Sequence, residues 1–259
     1  DVHSNFGHAL RSLGRSDEAI AHYRRALVLK PNHTGALNNL GAELAERGQP
    51  AEALALFEQA VRLKPGDAAT HDNLAGALRG LGRIEDAVTQ HQAALRLKPD
   101  SATAHANFGR TLLRAGRAPE ALAELEKALQ LKPALASARG HYAMALATLG
   151  RPAEAMAQLE RAVELSPESA EAQVNLGTAL AQAGRTEEAA GRFETAIRLQ
   201  PGFAMAHANL GTALSALRRW AEAIPPLAKA VALQPESVAV RAQLAVALVN
   251  HGRLADAVP

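Results

Sequence analysis

Proline recurs at Pro31, Pro65, Pro99, Pro133, Pro167, Pro201 and Pro235, always 34 residues apart. A fixed period of this length, kept without a slip, restricts a chain to a solenoid of stacked, nearly identical units. With these prolines at position 32 of the repeat, the repeats span 1–33, 34–67, 68–101, 102–135, 136–169, 170–203, 204–237 and a partial 238–259, so a single solenoid is expected over residues 1–259. Other columns keep the same register. Position 11 is Leu in all eight repeats, from Leu10 to Leu248, and position 20 is always Ala, from Ala19 to Ala257. Positions 27 and 30 are Ala and Leu in all seven repeats that reach them. Position 8 is Gly or Ala, and position 15 is Gly except at Arg218.

Within each repeat the spacing reads helix, turn, helix. Positions 3, 7, 10 and 14 are mostly apolar and step by three or four, which gives a first helix one buried stripe; positions 20, 24, 27 and 28 do the same for a second helix. Gly at position 15 permits the left-handed backbone that ends the first helix. Pro at position 32 cannot continue the second helix and pushes its predecessor out of helical geometry. Asp67, Ser101, Ser169 and Ser237 at position 34 are expected to cap the following first helices. Aromatic residues make up only 3% of the chain, so the core is built mainly from Ala, Leu and Val, and Ala and Leu are strong helix formers. The small residues at positions 8, 20 and 27 let helix axes approach closely.

Small residues at 8, 20 and 27, an aromatic or Leu at 24 and Pro at 32 resemble the tetratricopeptide repeat family; the runs His105-Ala106-Asn107-Phe108-Gly109 and Ala189 to Pro201 carry the likeness well. The resemblance covers the whole chain. It implies an all-α fold in which antiparallel helix pairs stack into a right-handed superhelical solenoid, with about three-quarters of the chain helical. Three departures stand out. Position 4, where the family has Trp, reads His3, Leu37, His71, His105, Arg139, Gln173, His207 and Arg241. Arg218 replaces a turn glycine, and Pro225-Pro226 fall early in a second helix, where a local kink is expected.

Several columns look like chemistry. Position 19 is acidic in every repeat, from Glu18 to Asp256; paired carboxylates suit acid–base catalysis, but the first turn of a helix favours negative charge through its dipole, which is the better reading. Lys30, Lys64, Lys98 and Lys132 close second helices, and Arg15, Arg83, Arg117, Arg151, Arg185, Arg219 and Arg253 follow the hairpin turn. With acids beside them and a net charge of only +2, they read as a solvated face rather than a phosphate track. Of the ten histidines, His3, His71, His105 and His207 share position 4 but belong to different repeats; with no His-x-x-x-His spacing and no cysteine, no metal site and no cofactor are expected. No phosphate-cradling glycine motif occurs, and Asn32-His33-Thr34 is a lone match to the glycosylation acceptor pattern. No apolar run reaches the roughly 18 residues that span a bilayer. The chain is therefore expected to act without catalysis of its own, in the cytoplasm, on neither nucleic acid nor membrane.

One column carries a functional signal. Position 6 reads Asn5, Asn39, Asn73, Asn107, His141, Asn175, Asn209 and Gln243. Asn inside a helix costs up to about 0.7 kcal/mol relative to Ala, yet it recurs in mid-helix. Inheritance by duplication explains a constant column less well here, because positions 2 and 9 beside it have scattered; bonding of each Asn to the adjacent repeat is the other structural explanation. In tetratricopeptide proteins positions 2, 6, 9 and 13 line a groove. A primary amide has two donor hydrogens and an acceptor oxygen, so a row of them can hold the backbone of an extended peptide. This resembles the asparagine ladder in the tetratricopeptide arm of O-linked N-acetylglucosamine transferases. The carboxylate-clamp subtype fits poorly, because position 5 offers no Lys. The expected site is a peptide-binding groove of Asn5, Asn39, Asn73, Asn107, His141, Asn175 and Asn209 with Arg110 and Arg114. The expected partner is a protein or peptide, with the substrate-recognition arm of a larger glycosyltransferase as the alternative role. The groove is expected to be polar early and apolar late, where Leu113, Met144, Val174, Met205 and Val249 fall. Both ends look cut, so the chain is expected to be a segment of a longer protein whose Val246, Leu248 and Ala257 pack on another molecule, a second copy included, or on further sequence.

Overall fold

A computed structural model describes residues 2–256, and Asp1, Ala257, Val258 and Pro259 lie outside the described residues. Among those residues there are fifteen α-helices and no strand. Contacts divide the chain into two units, 1–133 and 134–259. The first holds α1 (Val2–Ser12), α2 (Ser16–Leu29), α3 (Thr34–Glu46), α4 (Pro50–Leu63), α5 (Ala68–Gly80), α6 (Ile84–Leu97), α7 (Ala102–Arg114) and α8 (Ala118–Leu131). The second holds α9 (Ala136–Thr148), α10 (Pro152–Leu165), α11 (Ala170–Gln182), α12 (Thr186–Leu199), α13 (Ala204–Ala216), α14 (Trp220–Leu233), α15 (Val238–Asn250) and a 3₁₀ turn, Leu254–Asp256. No helix among the described residues is long and apolar enough to cross a membrane.

Each of the first seven repeats is one hairpin, and within each unit a first helix also packs on the second helix of the repeat before it. First helices touch one another from repeat to repeat (α1–α3–α5–α7 in the first unit, α9–α11–α13–α15 in the second), while second helices make no such contacts among the described residues. First helices thus form the inner layer of each unit and second helices the outer one.

The invariant Leu column does two things. Its side chains fill the core: Leu10, Leu44, Leu112, Leu146 and Leu180 are at most 3% exposed. Its carbonyls close the hairpin turn, each accepting the amide N–H five residues on at 2.9 Å, from Arg15 on Leu10 to Arg253 on Leu248. That turn needs a left-handed residue. Gly14, Gly48, Gly82, Gly116, Gly150, Gly184 and Gly252 have φ between 72° and 85°, and Arg218 takes φ 58° in the same place. Position 8 is small for a measurable reason. A Cβ on Gly41 would fall 2.7 Å from Phe57 Cε1, on Gly109 2.5 Å from Leu125 Cγ, and on Gly211 2.3 Å from Leu227 Cγ. In each case the neighbour is position 24 of the same repeat.

Some local expectations are refined. Asp67, Ser101 and Ser169 accept a first-turn amide N–H as caps, but Ser237 makes no such bond, and His33 caps α3 instead. The helix α14 runs 14 residues through Pro225-Pro226, the length of its equivalents. Four of the position-4 side chains staple the preceding loop. His71, His105 and His207 each present Nε2 to a Pro carbonyl (Pro65, Pro99 and Pro201) at 2.9–3.0 Å, and Gln173 donates to Pro167. The basic and acidic columns around the hairpin turn pair with each other. Arg15–Glu18, Arg83–Asp86, Arg117–Glu120, Arg151–Glu154, Arg185–Glu188, Arg219–Glu222 and Arg253–Asp256 are ion pairs of 2.6–2.7 Å on the surface.

Candidate functional site

Position 6 lies on the inner layer in both units, and position 5 of the preceding repeat decides what its side chain meets. In the first unit, Asn73 on α5 donates from Nδ2 to Asn38 Oδ1 on α3 at 3.0 Å. Asn107 on α7 donates in the same way to Asp72 Oδ2 on α5 at 2.8 Å. Each bond uses one of the two amide hydrogens and leaves the amide oxygen for other partners. Asn39 is half-buried beside Asn38, and Asn5 is exposed on α1.

Asn73 and Asn107 line an open groove of about 630 Å³ across α3, α5 and α7. Arg79, Arg110, Asp72, Glu46 and His91 line it as well. His91 is the residue that sequence reasoning missed. It stands at position 24, where the other repeats have Tyr, Phe or Leu, and it is 1% exposed. Its Nδ1 lies 2.9 Å from Asp72 Oδ1 and its Nε2 lies 3.0 Å from Thr111 Oγ1. The Thr111 hydroxyl donates to the Asn107 carbonyl, so its oxygen accepts from His91 Nε2. A buried polar group at a core position is tolerated only when its bonds are complete, and here Asp72, Thr111 and Asn107 complete them. The signal in the sequence was a coincidence of departures: His at 24, Asp at 5, and Thr at 10 in the next repeat.

The first repeat pair carries a second buried charge. Glu43, 1% exposed, is ion-paired to Arg11 Nε at 2.8 Å, and Arg11 also reaches Glu46 at 2.6 Å. Arg11 thus bridges both carboxylates on this stretch of the inner layer. Buried Tyr23 stands close by; burial first, and the Glu43 charge with it, push its hydroxyl above the ordinary range against the opposing effect of Arg11.

The second unit has no acceptor at position 5, where Gly140, Val174, Ala208 and Ala242 stand. Asn175 Nδ2 packs 3.0 Å from the place where a Gly140 Cβ would be, and the two line a small cleft of about 60 Å³ with Ser137 and Glu171. Asn209 donates to Thr178 Oγ1 at 3.3 Å. His141 Nδ1 lies 2.8 Å from the Ser137 carbonyl of its own helix, and Gln243 is half-buried. Of the apolar residues expected here, Met144, Met205 and Val249 are about half exposed (52%, 55% and 48%), but Val174 is buried at 2% and offers no surface. Leu248 is likewise covered within its unit, at 5%, whereas Val246 is 54% exposed. Arg110 and Arg114 belong to the first unit, one turn apart on α7.

Models described as tetratricopeptide repeat match residues 1–66 and 66–134, and a second such model matches 142–204, 176–238 and 208–259. A 39-residue stretch, 15% of this chain, is 56% identical to the human and mouse protein O-mannosyl-transferase TMTC1, and spans 4% of those proteins. Among solved structures, the APC/C hetero-tetramer Cut9–Hcn1 aligns over 97% of this chain and 49% of that one, with a TM-score of 0.77 at 20% identity. TTC0263, a thermophilic tetratricopeptide repeat protein of Thermus thermophilus, aligns over 69% of this chain and 97% of that one, with a TM-score of 0.61 at 28% identity.

Proposed function

Because the chain belongs to the tetratricopeptide repeat family, we propose that it is an interaction scaffold whose first unit holds an extended segment of another polypeptide across α3, α5 and α7. The observation that supports this reading is the open groove of about 630 Å³ with the half-exposed amides of Asn73 and Asn107 on its floor. Each amide is oriented by a bond to the preceding repeat, yet keeps one N–H and its oxygen for a ligand. An oriented amide loses less freedom on binding than a mobile one, which favours affinity. A peptide backbone presents alternating N–H and C=O groups, the chemistry such a row complements. Asn5 and Asn39 extend the row toward the N-terminus; His141, Asn175 and Asn209 are the equivalent positions of the second unit, where exposed Met144 and Met205 favour apolar side chains.

Panning a phage-displayed library of random peptides against the parent chain tests this. Peptides that enrich should lose affinity for the Asn39→Ala, Asn73→Ala, Asn107→Ala triple variant by a few kcal/mol at most, at about 0.5–1.5 kcal/mol per neutral hydrogen bond. Equal binding by parent and variant rejects the amide row as the contact.

The TMTC1 match favours a second reading, in which these repeats are the substrate-recognition arm of a larger O-linked glycosyltransferase. The coding sequence on either side of these 259 codons decides it: an adjoining open frame without a glycosyltransferase domain removes this reading.

A further inference from the structure

Gly140 of the second unit is a glycine that neither its backbone nor its packing demands. It stands inside α9, where glycine weakens a helix relative to alanine. Its φ is outside the left-handed region that the turn glycines occupy. A Cβ on the position-8 glycines would strike a buried ring or leucine branch, as at Gly41 and Gly211. At Gly140 it would meet one atom only, Asn175 Nδ2 on α11 at 3.0 Å, the far end of a side chain that can turn aside. What the glycine leaves open is a cleft of about 60 Å³ between α9 and α11. Buried Leu159 and Ala162 form its floor, and Ser137, Glu171 and the Asn175 amide form its rim. In the first unit the position-5 side chain fills the equivalent place and supplies an oxygen: Asn38 Oδ1 accepts from Asn73, and Asp72 Oδ2 accepts from Asn107. Asn209 finds Thr178 Oγ1. Of these four amides, Asn175 alone makes no hydrogen bond among the described residues. Residues that break local rules without a structural return mark functional sites.

We infer that the cleft beside Gly140 is a side-chain subsite, which takes a short, uncharged side chain bearing an oxygen (Ser, Thr or Asn) from an extended peptide bound on the second unit. The inference rests on the peptide-groove reading above and adds a specificity site to it. The ligand's oxygen would accept from Asn175 Nδ2, as Asn38 Oδ1 accepts from Asn73 within this chain. A bound ligand would thus complete a bond that the chain makes between its own repeats elsewhere. Size and charge set the rest. A cleft of about 60 Å³ is under half of the roughly 150 Å³ cavity that holds a benzene ring, so rings and long branched side chains do not fit. The negative charge of Glu171 at the rim disfavours a carboxylate. An apolar side chain of the right size would cover the Asn175 amide without pairing it, and a site built to bond an oxygen rejects the analogue that lacks one.

The test pans one phage-displayed library of random peptides in parallel on the whole parent chain and on Gly140→Ala. Peptides enriched on the parent should carry Ser, Thr or Asn at one fixed place, and peptides enriched on Gly140→Ala should lack that preference. An enriched peptide is then remade with Thr, Val or Leu at that place. The parent should bind the Thr peptide about two- to tenfold tighter than the Val peptide of the same shape, the span of one neutral hydrogen bond. The Leu peptide should bind more weakly still, because the cleft is too small for it. Asn175→Ala keeps the cleft and removes the donor, so it should bind the Thr and Val peptides equally. Thermal melting reads the fold separately: Gly140→Ala should melt at or above the parent temperature, because alanine is the better helix former. Peptides that enrich on the parent without a Ser, Thr or Asn preference overturn the subsite and leave the groove reading intact. A preference that survives Gly140→Ala, or equal binding of the Thr and Val peptides by the parent, also overturns it. So does a sharply lower melting temperature of Gly140→Ala, which would make the glycine structural. Failure of any peptide to enrich on the parent overturns both readings.

Discussion

The two units share the Leu and Ala columns of the core at positions 11, 20 and 27 and differ in what lies beside and on top of them. In residues 1–133 the side chains at position 5 are Ser4, Asn38, Asp72 and Ala106, and in 134–259 they are Gly140, Val174, Ala208 and Ala242. The same Asn at position 6 therefore does two jobs. Asn73 and Asn107 are tied to the helix before them, whereas Asn175 rests on a bare glycine and Asn209 reaches a threonine hydroxyl on the neighbouring first helix. A repeated residue does not carry a repeated role. Its role is set by the partner column one repeat away, and that column has diverged. The same holds for charge: the inner layer of the first unit gathers Arg11, Glu43, Arg79, Arg110 and Arg114, while the second shows Met144, Met205 and Val246 to solvent.

Perturbing the shared core tests whether the units are equivalent beneath the surface, and the largest effects are expected there. Leu112→Ala and Leu180→Ala should each cost about 2–5 kcal/mol, by loss of buried methyl groups and the cavity left behind. Both side chains are nearly inaccessible, at 1% and 3%. Gly109→Leu and Gly211→Leu should also destabilise both units, because even a Cβ at these places meets Leu125 and Leu227 at 2.5 and 2.3 Å. Urea denaturation that finds one unit indifferent to its substitution would break the equivalence.

The polar network of the first unit should respond next. Asp72→Ala leaves His91 and Asn107 without their shared acceptor, and removing one partner of a buried pair costs about 3 kcal/mol. The second unit shows a way to repair it: Leu159 stands where His91 does, and Ala179 where Thr111 does. Asp72→Ala combined with His91→Leu and Thr111→Ala should recover most of the loss, since an apolar replacement of a whole network can be neutral. If the triple variant unfolds as readily as Asp72→Ala alone, the cost lies elsewhere than in the orphaned imidazole.

The hairpin stack was legible in the sequence because its causes are local to one column. Leu at 11, Gly at 15 and Ala at 20 each answer to one recurring packing or backbone demand, and every repeat states it again. The site was legible only in part, because its causes cross repeats. Asn107 was visible as a mid-helix amide, but its acceptor Asp72 sits 35 residues earlier, in the position-5 column that was read only for its lack of Lys. His91 went unnoticed in the sequence; in the structure Asp72 and Thr111 stand on either side of it. Val174 was expected to line a groove from its position in the repeat, yet it is buried, so position 5 faces the neighbouring helix.

The turns offer a smaller test of the second unit. Arg218 holds φ 58° where the other turns have glycine, yet its turn keeps the Arg219 to Leu214 bond at 2.9 Å. A left-handed backbone costs a side-chain-bearing residue about 1–2 kcal/mol, and glycine gives back part of that through its greater freedom in the unfolded chain. Arg218→Gly should thus raise stability by up to about 1 kcal/mol, seen as a higher melting temperature. The reverse change in the first unit, Gly116→Val, should lower it.

The smallest effect is expected at the surface ion pairs, and it too separates the units. Hydrogen bonds from the neighbouring arginine hold Glu120 in the first unit, and Glu154, Glu188 and Glu222 in the second, below the ordinary carboxylate range, with the arginine charge adding to the shift. A carboxylate whose folded-state value is depressed adds stability that is fully present above its unfolded value and is lost as pH falls through the folded one. Acidification should therefore weaken both units, and the second more, because three of the four depressed groups lie there. Each pair is solvent-exposed, and exposed pairs are strongly screened, so the loss per pair is small and should fade in high salt. Amide hydrogen exchange, expressed as protection factors at neutral and acidic pH, reads the two units separately in one experiment. The second unit should lose more protection on acidification at low salt, and Glu188→Gln should reduce that loss without altering protection in the first unit. Equal losses in both units, unaffected by Glu188→Gln, would mean that these surface pairs are not what acid acts on.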